Sequence, residues 1–268
     1  MGTACISNRR DYYRFHKKNI MSCPTTQGFG ENANPSYSGQ GLKGHSGVDE
    51  GCLYGTPVMA LKKGIVFKII DDARPASDGS GYFAVFILSQ DASGAYCEWQ
   101  AGHLSEITCK IGDMVEPNSI IGKVGNKGTV FQGGIQITKA MQDAGDRRGT
   151  HIHWNKKILT RQNEAQRDAD RKGVRLNVYG AGTYEDAEGY VYAINDFSNG
   201  YKGSVDPKDD LVLGYKEANA MAVGGIVKTI QAIVSTINSS ELTVAQRLSF
   251  LSQMSIIIAK LKAWLAVK

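Results

Sequence analysis

The sequence predicts a mainly β fold, built on an antiparallel sheet, with a C-terminal α-helical hairpin. Between residues 56 and 126, short apolar runs alternate with turn signals at the spacing expected of antiparallel strands. After about residue 216, glycine turns give way to two segments with helical apolar periodicity. Glycine supplies 31 of the 268 residues and proline only 6, and an excess over the usual glycine share of about 7% fits a turn-dense β protein.

Four strand-like runs follow a long glycine-rich loop. Glycines break any period across residues 25–56, and an irregular stretch of that length is usually functional. From Thr56 onward the sequence changes to short runs of apolar and β-branched residues, which cover 57–60, 64–70, 81–89 and 95–103. We therefore expect the sheet to begin after this loop.

The C-terminal segment predicts two amphipathic helices. The first shows an i, i+3, i+4, i+7 apolar pattern from Val223 to Ile237, and Thr243 with Gln246 forms a capping box that starts the second. The apolar stripe of the second helix covers roughly half of its circumference, which demands a partner surface. We expect this hairpin, residues 216–268, to pack on its own domain, on a partner protein or on a second copy. Insertion at a membrane interface is the less favoured alternative, and no run of 18 apolar residues predicts a membrane span.

Composition and charge exclude several classes of protein. Apolar residues make up 42% of the chain and charged residues 21%, so the chain is not disordered as a whole. Lys and Arg number 31 against 26 Asp and Glu, for a net charge of +5. Because these charges nearly balance, we expect no nucleic-acid partner. At roughly 150 residues per domain, this length allows one large domain with an appendage.

The N-terminal segment and the cysteines bear on the compartment. Residues 1–24 form a basic leader without an apolar stretch of seven or more, so we expect no secretory signal peptide and synthesis in the cytoplasm. The five cysteines are an odd number with no Cys-x-x-Cys pair, which indicates neither a zinc ribbon nor a disulfide framework. We therefore expect reduced, mostly buried thiols.

Four of the five histidines fall in three glycine-flanked motifs. These are Gly44-His45-Ser46-Gly47-Val48-Asp49, Gly102-His103-Leu104-Ser105 and Gly149-Thr150-His151-Ile152-His153-Trp154. The spacing of His151 and His153 places both imidazoles on one face of a β-strand, about 7 Å apart. One histidine alone is usually structural, but four in such motifs match what zinc requires: three N or O ligands, a water position and nearby proton carriers. The residues alone indicate a metal site and leave its reaction open.

These motifs resemble those of the lysostaphin-like (LytM-type) zinc endopeptidases, which cut peptidoglycan peptides. The resemblance covers roughly residues 26–207 and extends to Gly55-Thr56-Pro57-Val58, Ile121-Gly122-Lys123-Val124-Gly125-Asn126 and Val205-Asp206-Pro207. It implies a duplicated-hybrid-motif-like metallopeptidase core with one Zn²⁺ per chain. It also implies His45, Asp49 and His153 as the zinc ligands, and His103 and His151 as the catalytic pair, without assigning which of the two is the general base.

The chain departs from the family pattern in two places. Gln100 and Ala101 stand where members often carry an aromatic or β-branched residue before the second motif. Between Asn126 and His151, about 20 residues replace the usual short loop, and we expect them to reshape substrate recognition. Residues 158–177 are interpreted as a charged helix or solvated insertion, and residues 183–210 as an acidic, turn-rich segment.

The resemblance and the composition together predict three parts. Residues 1–24 are the leader, residues 25–215 the zinc endopeptidase domain with insertions at about 127–148 and 158–200, and residues 216–268 the helical hairpin. We expect hydrolysis of peptidoglycan peptides at the cell wall by a phage virion- or tail-associated lysin, because neither a signal peptide nor a wall-binding repeat is evident. A free endolysin or a bacterial wall hydrolase is the runner-up. The alternative from another class is a structural tail or envelope protein that retains the fold and metal without activity.

Overall fold

The structure is a computed structural model of the chain. It describes residues 23–32, 36–71, 82–91, 93–171, 183–186, 188–238 and 242–265. The chain divides into two compact units, one formed by residues 24–214 and the other including residues 215–268.

The described residues form short strands, three small helices and two long C-terminal helices. The strands are β1 (Thr25–Gln27), β2 (Val48–Glu50), β3 (Pro57–Met59), β4 (Gly64–Asp71), β5 (Phe83–Gln90), β6 (Tyr96–Gly102), β7 (Leu104–Ile107), β8 (Met114–Val115), β9 (Ile120–Val124), β10 (Val130–Gln132), β11 (Ile135–Ile137), β12 (Ile152–Arg161), β13 (Thr183–Glu185), β14 (Val191–Ile194) and β15 (Ser204–Val205). The helices are α1 (Ser36–Gly39), α2 (Lys139–Asp143), α3 (Glu164–Arg171), α4 (Lys208–Ile237) and α5 (Val244–Leu265).

The main sheet is antiparallel and has the strand order β1-β2-β12-β6-β5-β4-β8. Strands β14 and β15 also pair with β12, and β13 pairs with β14. A second sheet has the order β3-β9-β7, and β10 and β11 form a hairpin of their own. The predicted class, mainly β and antiparallel with C-terminal helices, is confirmed.

The core of the main sheet lies along β5 and its neighbours. Residues 84–88 of β5 are all buried, so both faces of this strand are covered. A strand buried on both faces is apolar throughout, whereas a half-exposed strand alternates apolar and polar residues. The continuous apolar run is the reason that the sequence predicts β5 clearly. Strand β12, ten residues long, pairs with β6 along most of its length.

The four predicted strand runs correspond to β3, β4, β5 and β6, with ends that differ by one or two residues. The long loop is interrupted by β1, α1 and β2, which the sequence does not predict. Within the described residues 158–171, this segment begins as the end of β12 and continues into α3, and residues 172–177 lie outside the described residues. The turn-rich segment 183–210 contains the short strands β13, β14 and β15.

The prediction of reduced thiols is wrong for two cysteines. Cys23 and Cys52 are disulfide-bonded, whereas Cys97 and Cys109 are free. Cys5 lies outside the described residues. An odd cysteine count and irregular spacing cannot reveal one disulfide among free thiols, because pairing depends on the distance between the residues in the fold.

Both predicted C-terminal helices are present, and the first begins earlier than its apolar pattern. Helix α4 starts at Lys208, where the Asp206 side chain accepts a hydrogen bond from the Lys208 N–H (3.0 Å) and Pro207 stands in the first turn. The capping box of α5 is confirmed, because the Thr243 N–H donates to Gln246 Oε1 (2.9 Å) and the Gln246 N–H donates to Thr243 Oγ1 (3.3 Å).

The helices of the C-terminal unit carry exposed apolar side chains. These are Val227, Val234, Val244, Leu248, Leu251 and Ile256. Within the described part of the chain, no helix has the length and apolar character needed to cross a membrane.

Candidate metal and catalytic centre

Three neighbouring strands of the main sheet, β2, β12 and β6, bring the site together. Asp49 in β2 is the register partner of His153 in β12, and His153 is in turn opposite Gly102 at the end of β6. His103 follows Gly102, and His151 immediately precedes β12. The register of three strands therefore collects residues that are about 100 positions apart in the sequence.

Three side chains converge on one point. His45 Nε2 lies 3.0 Å from His153 Nδ1 and 3.2 Å from Asp49 Oδ1, and His153 Nδ1 lies 2.8 Å from the same carboxylate oxygen. All three residues are buried. Among the described residues, this is the group of histidine, cysteine and carboxylate side chains with an arrangement able to hold a metal ion.

The His45 ring is fixed by a backbone carbonyl. Its Nδ1 lies 3.1 Å from the Gly28 carbonyl oxygen. Because a carbonyl only accepts, Nδ1 carries the hydrogen and the lone pair of Nε2 points at Asp49 Oδ1. A metal-binding histidine usually donates its other N–H in this way.

The donor set fits zinc. Two imidazoles and one carboxylate form a mixed N and O set that suits Zn²⁺ and leaves a fourth position for water. Bond lengths of about 2.0–2.1 Å in a tetrahedron separate the ligand atoms by roughly 3.3 Å, and the three observed separations are 2.8–3.2 Å. A cation would also resolve the close approach of two acceptors, His45 Nε2 and Asp49 Oδ1.

His103 and His151 lie beside this group. Their ring centroids are 4.5 Å apart, and the His103 centroid is 5.9 Å from that of His153. His151 Nε2 is 3.5 Å from Asp49 Oδ2. The structure therefore brings all five predicted site residues together, with three in the metal-binding group and two adjacent to it.

The two flanking rings have the same tautomer. His103 Nδ1 donates to the Lys127 carbonyl and His151 Nδ1 to the Gly149 carbonyl, both at 2.7 Å. Because each Nδ1 holds its hydrogen, Nε2 of each neutral ring is the nitrogen that can accept a proton. His103 adopts a positive φ of 59°, which is uncommon for a residue other than glycine.

Burial and neighbouring charges shift the pKa values of the site. Burial acts to raise the pKa of Asp49, but His151 together with the adjacent His153 and His45 side chains outweighs burial and holds this pKa well below its usual range. Burial lowers the pKa of His103 well below its usual value, with contributions from His151 and His153. Burial also lowers the pKa of His153, and Asp49 opposes that shift. The site thus combines an ionised carboxylate with a neutral His103 ring near pH 7.

The five residues line a groove of about 1120 Å³. Its lining also includes Phe131, Gln132 and Gln136 from β10 and β11, as well as Tyr37 and Gln40. Among the described residues that line the groove, Asp49 is the only one of the Asp, Glu, Lys and Arg types. The groove otherwise presents amides, hydroxyls and aromatic rings, which suit an uncharged peptide segment.

Two tyrosines of the groove were not predicted from the sequence. The Tyr37 ring lies 5.9 Å from that of His45, and burial raises the pKa of Tyr37 to about 12. The Tyr82 ring lies edge-on to His103 at 5.2 Å, and its hydroxyl accepts a hydrogen bond from Gln100. Tyr82 thus lies beside His103 and contacts Gln100, the position where the sequence departs from the family pattern. Neither tyrosine belongs to a motif that spacing reveals.

The fold and the site together define a metallopeptidase, with a His-Asp-His metal group and two histidines beside it. Within that class, the sequence model described as peptidase family M23 matches residues 43–165, so this part of the chain is an M23 domain. The predicted family, the metalloendopeptidase class and the dependence on zinc are confirmed.

Solved structures with a similar fold include peptidases of three bacteria. The catalytic domain of lysostaphin from Staphylococcus simulans is 16% identical, with 70% of this chain and 92% of that chain covered at a TM-score of 0.38. A mutant catalytic domain of the prophage-encoded M23 protein EnpA from Enterococcus faecalis is 25% identical (50% and 79% covered, TM-score 0.33). A zinc-containing peptidase from Vibrio cholerae is 19% identical (52% and 36% covered, TM-score 0.34). At these TM-scores the alignments add nothing to the family match.

A comparison with curated protein sequences gives no significant match.

Proposed function

We propose that this chain is a zinc endopeptidase that hydrolyses peptide bonds of bacterial peptidoglycan, in the stem peptide or the cross-bridge. In this proposal His45, Asp49 and His153 are the zinc ligands, and His103 and His151 are the catalytic pair. One observation carries it: three ligand atoms within 3.2 Å of one another lie beside two histidines that both offer Nε2, in the lining of a single groove.

The chemistry follows from the positions of these side chains. When bound, zinc polarises the scissile carbonyl and lowers the pKa of a bound water toward about 7. One of His103 and His151 takes a proton from the attacking water through its Nε2. The other, once protonated at Nε2, donates that N–H to the oxyanion or passes the proton to the leaving amine. Asp49 Oδ2, 3.5 Å from His151 Nε2, stabilises positive charge on that ring.

The substrate class is supported by the groove and by the overall charge. A groove of about 1120 Å³ is larger than a typical small-molecule pocket. Its amide and hydroxyl side chains can bind the backbone of an extended peptide. A net charge of +5 favours approach to an anionic cell envelope.

We further propose that the protein acts at the cell wall as a phage virion- or tail-associated component. Disulfides persist in oxidising environments, so the bonded Cys23 and Cys52 support a place of action outside the cytoplasm. Residues 25–215 would form the catalytic part, and the exposed apolar side chains within residues 216–268 would attach it to a tail protein or to a second copy. Detection of the chain in purified virions by mass spectrometry would support this placement, and its presence only in the soluble lysate would favour a free endolysin.

Dye release from purified, labelled sacculi of several wall types tests the activity. We expect the wild-type protein to release dye and His45→Ala to lose both zinc and activity. His151→Ala should lose activity while it retains zinc, because His151 lies beside the metal group and not within it. Zinc is measured by elemental analysis after dialysis.

Two outcomes would contradict the proposal. Stoichiometric zinc without turnover on any wall type would favour the structural alternative. Retention of zinc by His45→Ala, with loss by His151→Ala, would overturn the ligand assignment.

A further inference from the structure

The two histidines of the proposed catalytic pair are held by opposite ends of one segment. Residues 127–149, between β9 and β12, are called the bridging segment below; they contain β10, β11 and α2. The carbonyl of Lys127, at its first residue, accepts from His103 Nδ1, and the carbonyl of Gly149, at its last residue, accepts from His151 Nδ1. The orientation of both rings therefore depends on where these two backbone carbonyls lie.

The N-terminal end of the bridging segment is fixed by the buried side-chain amide of Gln142. Gln142 in α2 is only 2% exposed, and its Nε2 donates to the carbonyls of Gly128 (3.0 Å) and Ile137 (3.1 Å). Gly128 has a φ of +100°, and a Cβ there would lie 2.8 Å from Tyr82 Cδ2 and 3.2 Å from His103 Nδ1. The backbone thus approaches the His103 ring more closely than a side chain would permit, and Gln142 anchors it there.

The C-terminal end of the bridging segment is fixed by a second side-chain amide, that of Gln132. Gln132 Oε1, at the end of β10, accepts from the Gly149 N–H at 2.6 Å. The same glycine, at a φ of +69°, uses its carbonyl for His151. Gln132 and the His151 ring therefore hold successive peptide groups on the two sides of Gly149.

A third side-chain amide, that of Asn126, connects the two ends of the bridging segment. Asn126, fully buried, donates through Nδ2 to the carbonyls of Asp146 (2.9 Å) and Arg148 (3.0 Å). The residue before the bridging segment is thereby tied to the residues at its end. The two carbonyls that hold the histidines belong to one hydrogen-bonded unit.

We infer that the bridging segment sets the orientation of both histidines, with Gln132 and Gln142 as positioning residues. The inference rests on the proposed function for the roles of His103 and His151. Gln142 does not line the groove, so its effect on turnover must pass through the backbone. Gln132 lines the groove as well, so its two roles must be separated by experiment.

The experiment compares four near-isosteric substitutions in the full-length, zinc-loaded protein. Gln132→Met removes the acceptor for Gly149, and Gln142→Met removes the donor to Gly128 and Ile137. The matched control is Gln162→Met, because Gln162 is also a buried amide, accepts from the Val191 N–H and lies just past the far end of β12. Gln132→Glu retains an acceptor oxygen and serves as the conservative variant.

Two measurements are made on each variant. Dye release from labelled sacculi gives kcat and the half-saturating substrate concentration. Nitrogen-15 NMR of the imidazole rings gives the tautomer of each histidine and does not depend on activity.

We expect kcat to fall roughly tenfold or more in Gln132→Met and Gln142→Met, with the half-saturating concentration nearly unchanged, because misplaced catalytic groups slow turnover. The Nδ1–H tautomer should be lost selectively, at His151 in the first variant and at His103 in the second. Gln132→Glu should restore both readouts, and Gln162→Met should alter neither.

A higher half-saturating concentration with unchanged kcat in Gln132→Met would make Gln132 a substrate-binding residue and overturn its positioning role. Unchanged tautomers in both methionine variants would overturn the inference as a whole. If Gln142→Met fails to fold, Gln132→Met and Gln132→Glu still decide the matter, because Gln132 is exposed. A wild-type protein that does not act on sacculi would contradict the proposed function, whereas the NMR comparison would still test the positioning role.

Discussion

The two halves of the site are held in different ways. The Asp49 and His153 side chains lie on adjacent, paired strands, and their separation is set by the register between β2 and β12. His103 and His151 lie outside regular strands and are oriented by the carbonyls at the two ends of the bridging segment. Two of the three metal-binding side chains therefore depend on the sheet, whereas the geometry of the proposed catalytic pair depends on a loop held by amide side chains. Substitutions that disturb the metal-binding group should release the metal. Substitutions that disturb His103 or His151 should slow turnover while the metal stays bound.

The largest effect is expected for Asp49→Ala, which removes the carboxylate from the metal group. Substitution of a residue that only hydrogen-bonds a metal ligand lowers metal affinity by up to about 100-fold. Because Asp49 is itself a proposed ligand, its loss should lower zinc affinity by more than that. Zinc affinity is measured by competition with a chelator, and activity by dye release. The control is Glu106→Ala, which removes an exposed carboxylate paired with Lys123. Unchanged zinc affinity in Asp49→Ala would contradict the division of the site into two halves.

Gly47→Ala should disturb the sheet-supported half. A Cβ at Gly47 would lie 2.2 Å from the Trp154 carbonyl oxygen and 2.7 Å from His153 Cε1. Overpacking of this kind costs about 1–3 kcal/mol, so we expect a lower melting temperature and weaker zinc binding. Gly39→Ala is the control, because nothing lies within 4 Å of that position. Equal effects of the two substitutions would show that the clash is absent in solution.

Gly128→Ala should disturb the other half. Its Cβ would press on Tyr82 and His103, so we expect a roughly tenfold loss of kcat while zinc remains bound. Gly134→Ala provides the matched control, since Gly134 also has a positive φ (+78°) but no neighbour within 4 Å. Loss of zinc from Gly128→Ala alone would mean that the two halves are not separable.

The smallest effect is expected for Thr138→Ala at the N-cap of α2, the helix that carries Gln142. Thr138 Oγ1 accepts from the Met141 N–H at 3.4 Å, and loss of so long a capping bond should lower the free energy of unfolding by about 0.5 kcal/mol. Chemical denaturation measures this change, with Thr138→Ser as the variant that retains the cap. A fall in kcat as large as that expected for Gln142→Met would show that α2 as a whole, and not its buried amide, positions His103.

The sequence predicts the sheet-supported half better than the loop-supported half. β5 is a continuous apolar run because both of its faces are covered, and the two-residue spacing of His151 and His153 predicts the strand β12, which begins at Ile152. β2 is not predicted, because three residues within a glycine-rich loop become a strand only by pairing with β12 about 100 residues later. Helix α4 begins before its apolar pattern because Asp206 and Pro207 start it.

Side chains that hydrogen-bond distant backbone groups form no recognisable pattern in a sequence. Gln132 and Gln142 resemble any polar residue of an insertion, and their importance follows only from the carbonyls and N–H groups that the fold brings to them. The disulfide bonding of Cys23 and Cys52 is equally invisible, since spacing along the chain does not report distance in space. The histidine motifs, by contrast, can be recognised in the sequence, because their residue types and spacing indicate a metal site directly.

The bridging segment has a consequence for protein engineering. The hairpin β10–β11 is part of the wall that a substrate would meet, and exchange of such a wall is a natural way to redirect a hydrolase toward another bacterium. In this protein the same stretch of backbone also ends in the carbonyls that hold His103 and His151. A graft that replaces only residues 129–136 would alter recognition, and it must keep Gln132 or an equivalent acceptor for Gly149. A graft of the entire segment would exchange selectivity and catalytic competence together.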